Sequence, residues 1–375
     1  MSAEPGRRAE RLLPNEEAAV TGQEAVLAEA NRVRRAVLQP RGLDERRILL
    51  VGGAGYIGCE LTAQLLDAGY QVRTVDLLIY GHGVAVTGFL RNPHYEFRRL
   101  DLVATETLSS ALDDVTDVVL LAGLVGDPIT KAYPRAAEAI NVDGMRRLLD
   151  HLNGHRLNKV IFISTCSNYG LIPDGSAADE EFELRPLSPY AVAKVAIEDH
   201  LLEIKEEIDY HPVILRFATA FGLSPRMRFD LTVSEFTREM FVGRELLVFD
   251  AETWRPYCHV RDFGRLVQQV LEAPLEIVDG EVFNAGDDVN NYTKQMIVDQ
   301  LRLRLPHAPV RFQEHGSDPR NYRVSFAKVR ERLHFESELT VPDGIDELLT
   351  ALEAGLFGDV DARRSFYGNY EIEYP

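Results

Sequence analysis

From Arg47 onward the chain alternates short apolar runs with helical stretches, and few folds accommodate that order. The runs are Ile48–Val51, Val72–Val75, Phe97–Leu100, Val118–Leu121, Val160–Ile163 and Val213–Leu215, with Val282–Asn284 as one more. Strands separated by helices pair in parallel through right-handed crossovers, so the expected class is α/β, a doubly wound parallel sheet of the Rossmann kind. Segments such as ILLV and KVIFIS carry no polar face, which fits a sheet covered by helices on both sides.

Beyond Phe221 the alternation loosens, and Arg, Pro and aromatic residues gather in loops such as SPRMRFDL, WRPYCHVRD and DPRNYRVSF. The expected organisation is a Rossmann domain over 47–222 and a smaller C-terminal lobe over 223–357. Residues 259–286 of that lobe return to the main sheet, so the two interleave. A Tyr-rich tail, 358–375, is expected to lie against the surface. Residues 1–46 form an extension in which Val26, Leu27, Ala30, Val33 and Val37 recur at helical spacing, predicting one amphipathic helix.

Composition narrows the partners. The 375 residues hold 41 Lys and Arg against 59 Asp and Glu, a formal charge of −18. That is the wrong sign for a phosphodiester backbone or an anionic membrane surface. No run reaches the ~18 apolar residues of a membrane span, and the first residues lack a signal peptide's apolar core, so a cytoplasmic protein is expected. Three cysteines far apart, Cys59, Cys166 and Cys258, make neither a disulfide framework nor a zinc spacing, and no metal site is expected.

The first chemical signal follows the first strand. Ile48–Val51 runs directly into Gly52-Gly53-Ala54-Gly55-Tyr56-Ile57-Gly58 and then a helix. Glycines at that spacing let the chain turn tightly, bring bare backbone against a pyrophosphate, and pack helix on strand. The helix N-terminus offers free N–H groups to the anion. An acid about 20 residues on, Asp76, ends the next strand, as a group accepting from ribose hydroxyls would. Facing a 2′-phosphate it would repel, so the expected cofactor is NAD in preference to NADP. Asp101 and Leu102 end the third strand where adenine would lie. Ala122 and Gly123 put small residues at the end of the fourth.

The second signal is catalytic. Strand KVIFIS leads to Thr165 and Cys166, and SPYAVAK follows with Tyr190 and Lys194 at i,i+4 on one helix face. A phenol of pKa ~10 is a poor base at neutral pH, but a nearby ammonium stabilises its phenolate. Thr165 at a strand end can hold a substrate hydroxyl while Tyr190 takes its proton.

These ordered motifs resemble the extended short-chain dehydrogenase/reductases, in particular the nucleotide-sugar epimerase/dehydratase branch, over roughly residues 47–357. GGAGYIG is similar to that branch's phosphate loop, STCSNYG to its Ser/Thr-x-x-x-Tyr-Gly segment and SPYAVAK to its Tyr-x-x-x-Lys. LRFATAFG, RPYCHVRD and VFNAGD look like its later signatures. The resemblance implies Thr165, Tyr190 and Lys194 as a catalytic triad and Asn141, in NVDGMRRLLD, near the cofactor. Arg255 and Arg320 would clamp a nucleotide diphosphate, with Arg226 and Arg228 as further candidates from the PRMRFD loop. Thr219 stands where many relatives carry a substrate-binding Asn. The family also dimerises through two helices, here around Ala136–Leu152 and Tyr190–Ile208, and Leu201, Leu202, Ile204 and Ile208 are expected to supply apolar surface for the partner.

The shared first step of that family is oxidation of a sugar hydroxyl. Its 4,6-dehydratases then use an Asp and a Glu directly after the Thr, and here those positions are Cys166 and Ser167. A 4-epimerase needs neither group. The expected function is therefore an NAD-dependent nucleotide-sugar epimerase acting at C4 through a transient 4-keto sugar. The alternatives are a dehydratase or related lyase recruiting Cys166, a net oxidoreductase, and a non-catalytic NAD-binding protein.

Overall fold

The computed structural model describes residues 42, 45–104, 108–172, 175–316 and 318–374. The helix expected around Val26–Val37 lies outside these. The central sheet has seven strands: β1 (Arg47–Val51), β2 (Gln71–Asp76), β3 (Tyr95–Arg99), β4 (Asp117–Leu120), β5 (Lys159–Thr165), β6 (His211–Phe217) and β7 (Val282–Ala285). Their spatial order is β7-β6-β5-β4-β1-β2-β3, with every pair parallel. The order reverses between β1 and β4, and in such sheets the crevice at that reversal receives the ligand.

Both faces of the sheet are covered. Ile48, Leu50, Val72, Ile161 and Val213 belong to one apolar cluster, and Leu49, Val51, Val75, Val160 and Ile214 to another. Alternate residues of a strand point to opposite faces. Continuous apolar strands therefore feed two cores at once, each fully buried Ile or Leu contributing about 1.5–3 kcal/mol.

Five helices matter to the site: α1 (Tyr56–Asp67), α2 (Asp127–Ala132), α3 (Pro134–Glu138), α4 (Met145–Leu152) and α5 (Pro189–Ile204). The stretch expected as one helix from Ala136 to Leu152 is divided by a wide π turn over Ala139–Gly144. The four residues expected to face a partner subunit are used internally. Leu201 and Ile208 are buried, and Leu202 and Ile204 pack on the same cluster as β4 and β5.

The smaller lobe is built around a three-stranded sheet in which Trp254–His259 lies between Thr219–Phe221 and Asn291–Thr293. Its strand Thr219–Phe221 follows β6 after one residue, so the lobe's frame is set directly by the central sheet. Among the described residues no helix is long and apolar enough to cross a membrane.

Candidate active site

A cavity of about 560 Å³ opens at the carboxyl ends of β1, β2, β4 and β5 and continues beneath the smaller lobe. Its floor is the glycine turn. Gly52 has φ +85°, and a Cβ there would stand 2.6 Å from the backbone of Ala122. A Cβ on Gly58 would meet Gly53 at 2.5 Å. Gly55 caps α1 with no side chain bonding the helix N–H groups, which leaves these donors for an anion. Gly52, Gly55, Tyr56, Ile57 and Gly58 all line the cavity. Bare backbone and unspent N–H groups at a strand-helix turn fit the pyrophosphate of a dinucleotide.

Asp76 stands beside this turn. Its carboxylate accepts the N–H of Ala54 at 3.1 Å and of Leu78 at 2.8 Å. Burial pushes the carboxyl up, and those two N–H bonds together with the Arg226 charge oppose the shift. Each oxygen keeps a lone pair for a ribose hydroxyl. Wild-type protein is expected to bind NAD well ahead of NADP in calorimetry, and Asp76→Ala to narrow that preference by about tenfold. Equal binding of the two cofactors by the wild type would remove Asp76 from this role.

Asp101, Leu102, Ala122 and Gly123 also line the cavity. Asp101 is already held on both oxygens, by the Val103 N–H at 2.9 Å and the Tyr374 hydroxyl at 2.9 Å. Asn141 lies just behind the cavity wall. Its amide grips Leu124 twice, accepting the N–H at 2.7 Å and donating to the carbonyl at 2.9 Å. The π turn brings Asn141 to that bend, where it shapes the wall.

β5 ends at Thr165, whose Oγ1 accepts the Ser167 N–H at 3.1 Å and starts a short 3-10 turn. Ser188 caps α5, accepting the Ala191 N–H at 3.3 Å, with Pro189 at the first helical position. These two ends bring Thr165, Tyr190 and Lys194 to one side of the cavity. Lys194 donates to the Ile163 carbonyl at 2.7 Å, and its Nζ lies 5.9 Å from the Tyr190 ring centroid. Burial brings its ammonium down to about 8, opposed by Glu198. Burial raises the Tyr190 hydroxyl, and the foremost charge pulling it down is Arg228. Motif reasoning did not bring Arg228 into that task.

Cys166, entertained above as a proton-transfer group, is not on the cavity wall. It is 1% exposed, its thiol lies 3.0 Å from the Arg216 carbonyl, and burial pushes its pKa well up. Burial of this kind keeps a thiol protonated at neutral pH. Cys166→Ala is expected to leave turnover within about threefold and to cost about 1 kcal/mol in chemical denaturation. A hundredfold loss of rate would restore it to the chemistry.

The far end of the cavity is basic and already paired. Asp318 accepts from Arg255 at 3.0 Å and from Arg320 through two bonds of 2.8 Å. Arg320 also meets Asp127 at 3.1 Å. Arg228 forms a two-pronged pair with Asp230 at 2.9 and 2.6 Å. Thr219, Tyr322 and Lys294 also line the cavity. Asp127, Asp318 and Tyr322 were not singled out by sequence. Asp318 and Tyr322 flank Arg320 in DPRNYR and were within reach of that signal.

A glycine-floored cavity that ends on a Thr/Tyr/Lys set and a cluster of arginines has the make-up of a dinucleotide-dependent enzyme. The chain belongs to the NAD-dependent epimerase/dehydratase family, whose sequence pattern matches residues 48–286. It is 26% identical over 319 residues to the uncharacterized UDP-glucose epimerase YtcB of Bacillus subtilis, covering 82% of this chain and 98% of that protein. It is 29% identical over 319 residues to the dTDP-glucose 4,6-dehydratase of Streptomyces niveus, covering 80% and 91%. The UDP-glucuronic acid 4-epimerase of Bacillus cereus, solved with UDP-glucuronic acid and NAD, superposes with a TM-score of 0.74 at 26% identity over 82% of this chain and 99% of its own. The protein is thus an NAD-dependent enzyme of this family.

Proposed function

We propose that this chain is a nucleotide-sugar epimerase that inverts C4 through a transient 4-keto sugar. One observation carries the reading. Of the two positions that resemblance assigns to the dehydratases' acid pair, one holds Cys166, buried against the Arg216 carbonyl, and the other Ser167, whose hydroxyl lies 3.2 Å from Tyr322 Oη. Neither is a proton-transfer group at neutral pH. Inversion at C4 requires only one base and one hydride acceptor.

NAD, which the glycine turn and Asp76 would hold, would supply the hydride acceptor. Tyr190 takes the C4 hydroxyl proton and gives it back after the ring has turned. Thr165 orients that hydroxyl, and the buried ammonium of Lys194 favours the phenolate. Arg255 and Arg320 hold the diphosphate while the sugar swings, a task suited to planar forks that bind phosphate in two places. A panel of nucleotide sugars incubated with the protein, with products read by mass and by sugar NMR, tests the reading. An isomer epimeric at C4 supports it. Loss of water or of carbon dioxide overturns it in favour of a lyase.

Two further assignments belong with this reading. Free, buried Cys59, Cys166 and Cys258 accord with a reducing cytoplasm. A homodimer through the outer faces of α4 and α5 follows from the family resemblance, with Val192, 52% exposed, on α5. Light scattering at micromolar concentration is expected to give twice the chain mass, and a monomer would refute the dimer.

A further inference from the structure

The end of the chain is built into the cofactor cavity. Asn369 and Tyr370 line it, and the residues around them are bonded to both of its sides. Toward the smaller lobe, the Tyr367 carbonyl accepts the Phe229 N–H at 2.7 Å, and the Asn369 N–H donates to Asp230 at 3.1 Å. Toward the central sheet, the Asn369 amide donates to the Val125 carbonyl at 2.8 Å, and the Tyr374 hydroxyl donates to Asp101 at 2.9 Å. Ile372, 8% exposed, anchors the stretch between them in the cluster that holds Val51, Val75 and Leu102.

Arg226 is fixed by the same segment. Its guanidinium donates to Asn369 Oδ1 at 2.8 Å and to the Gly368 carbonyl at 3.3 Å, and it lies 4.9 Å from the Tyr80 ring centroid. Arg226 is 2% exposed, yet its Nε has no partner. His82 is 3% exposed with neither ring nitrogen hydrogen-bonded, and its Nε2 stands 3.7 Å from Asp76. The Tyr80 hydroxyl is buried and unbonded as well. A buried polar group left without a partner is costly. All three residues line the cavity beside Asp76, where a ribose with its hydroxyls and adjoining phosphate would complete them.

We propose that the C-terminal tail is part of the cofactor site. By holding Arg226 over the adenosine half of NAD, and Asp101 at its rim through Tyr374, it retains the dinucleotide. The Arg226 charge then serves the cofactor, and the diphosphate of the substrate falls to Arg255 and Arg320 at the other end. This inference rests on NAD occupying the cavity and is independent of which sugar is turned over.

The test is NADH binding to cofactor-stripped full-length protein, followed by fluorescence, together with the NAD that stays bound through dialysis. Asn369→Ala and Arg226→Met are expected to weaken NADH binding about tenfold or more, and Tyr374→Phe about threefold, as lost hydrogen bonds to charged groups would. Tyr374→Phe removes one oxygen from a partly exposed ring, so it decides the matter if the other two fold poorly. Wild-type affinity in Tyr374→Phe and in whichever of the other variants fold overturns the proposal. So does weakened binding of the nucleotide sugar with NADH binding unchanged. A wrong sugar assignment would alter neither NADH measurement.

Discussion

Tyr190→Phe is expected to lower turnover by about 10²–10⁴-fold while NAD remains bound. The substitution deletes one oxygen and leaves the ring against its neighbours, so the glycine turn, Asp76 and Lys194 keep their places. What is lost is the group that the proposed mechanism uses to accept the substrate's proton. Lys194, an ammonium that donates to the Ile163 carbonyl at 2.7 Å, has no lone pair with which to take over. Steady-state turnover of the nucleotide sugar and single-turnover absorbance of reduced cofactor measure the effect. A variant within tenfold of wild type would show that the proton leaves by another route.

Glu198→Ala is expected to cost about 3–5 kcal/mol in chemical denaturation, the largest stability effect of any single change discussed. Glu198 is 1% exposed, one turn beyond Lys194 on α5. Its carboxylate accepts from Arg216 at 2.9 and 2.8 Å, from Asn168 at 2.8 Å and from the Ser164 hydroxyl. Its removal leaves the Arg216 guanidinium, 5% exposed, without a counter-charge. The same carboxylate ties α5 to β5 beside Thr165 and to β6, so the variant is also expected to lose activity. A loss under 1 kcal/mol would mean that water or a neighbouring acid replaces the carboxylate.

The strands were legible because their burial on both faces leaves no polar periodicity to confuse them: Ile48–Val51 and Val160–Ile163 fall within β1 and β5. Helix α1 was less so. The sequence places it after Gly58, whereas it begins at Tyr56, because a glycine-rich stretch reads as a turn. The division of the 136–152 helix depends on the two bonds from Asn141 to Leu124, a tertiary contact that no local pattern carries. The site divides in the same way. Tyr190 and Lys194 share a helix, and Thr165 ends the strand beside it, so spacing was enough to read them. Asp127, Asp318 and Asn369 reach the cavity from distant parts of the chain. Asn369 lies in a tail without period, read beforehand as surface covering. Cys166 was misleading because it follows Thr165 directly, and the 3-10 turn rotates it away from the cavity.

The pairing of Arg255 and Arg320 with Asp318 has a consequence for traffic through the site. Burial works against charge on Asp318, yet bonds from Arg320 and the Arg255 charge hold its carboxyl well below the usual range, so a resident anion occupies the arginines before any substrate arrives. On the proposed reading, a diphosphate entering there would be exchanged for that carboxylate, and the gain would be the difference between two anions instead of the full attraction of one. Departure is eased by the same amount, because the arginines regain a counter-ion as the product leaves. If the protein is the epimerase proposed above, such a swap would keep the two sugars from accumulating on it.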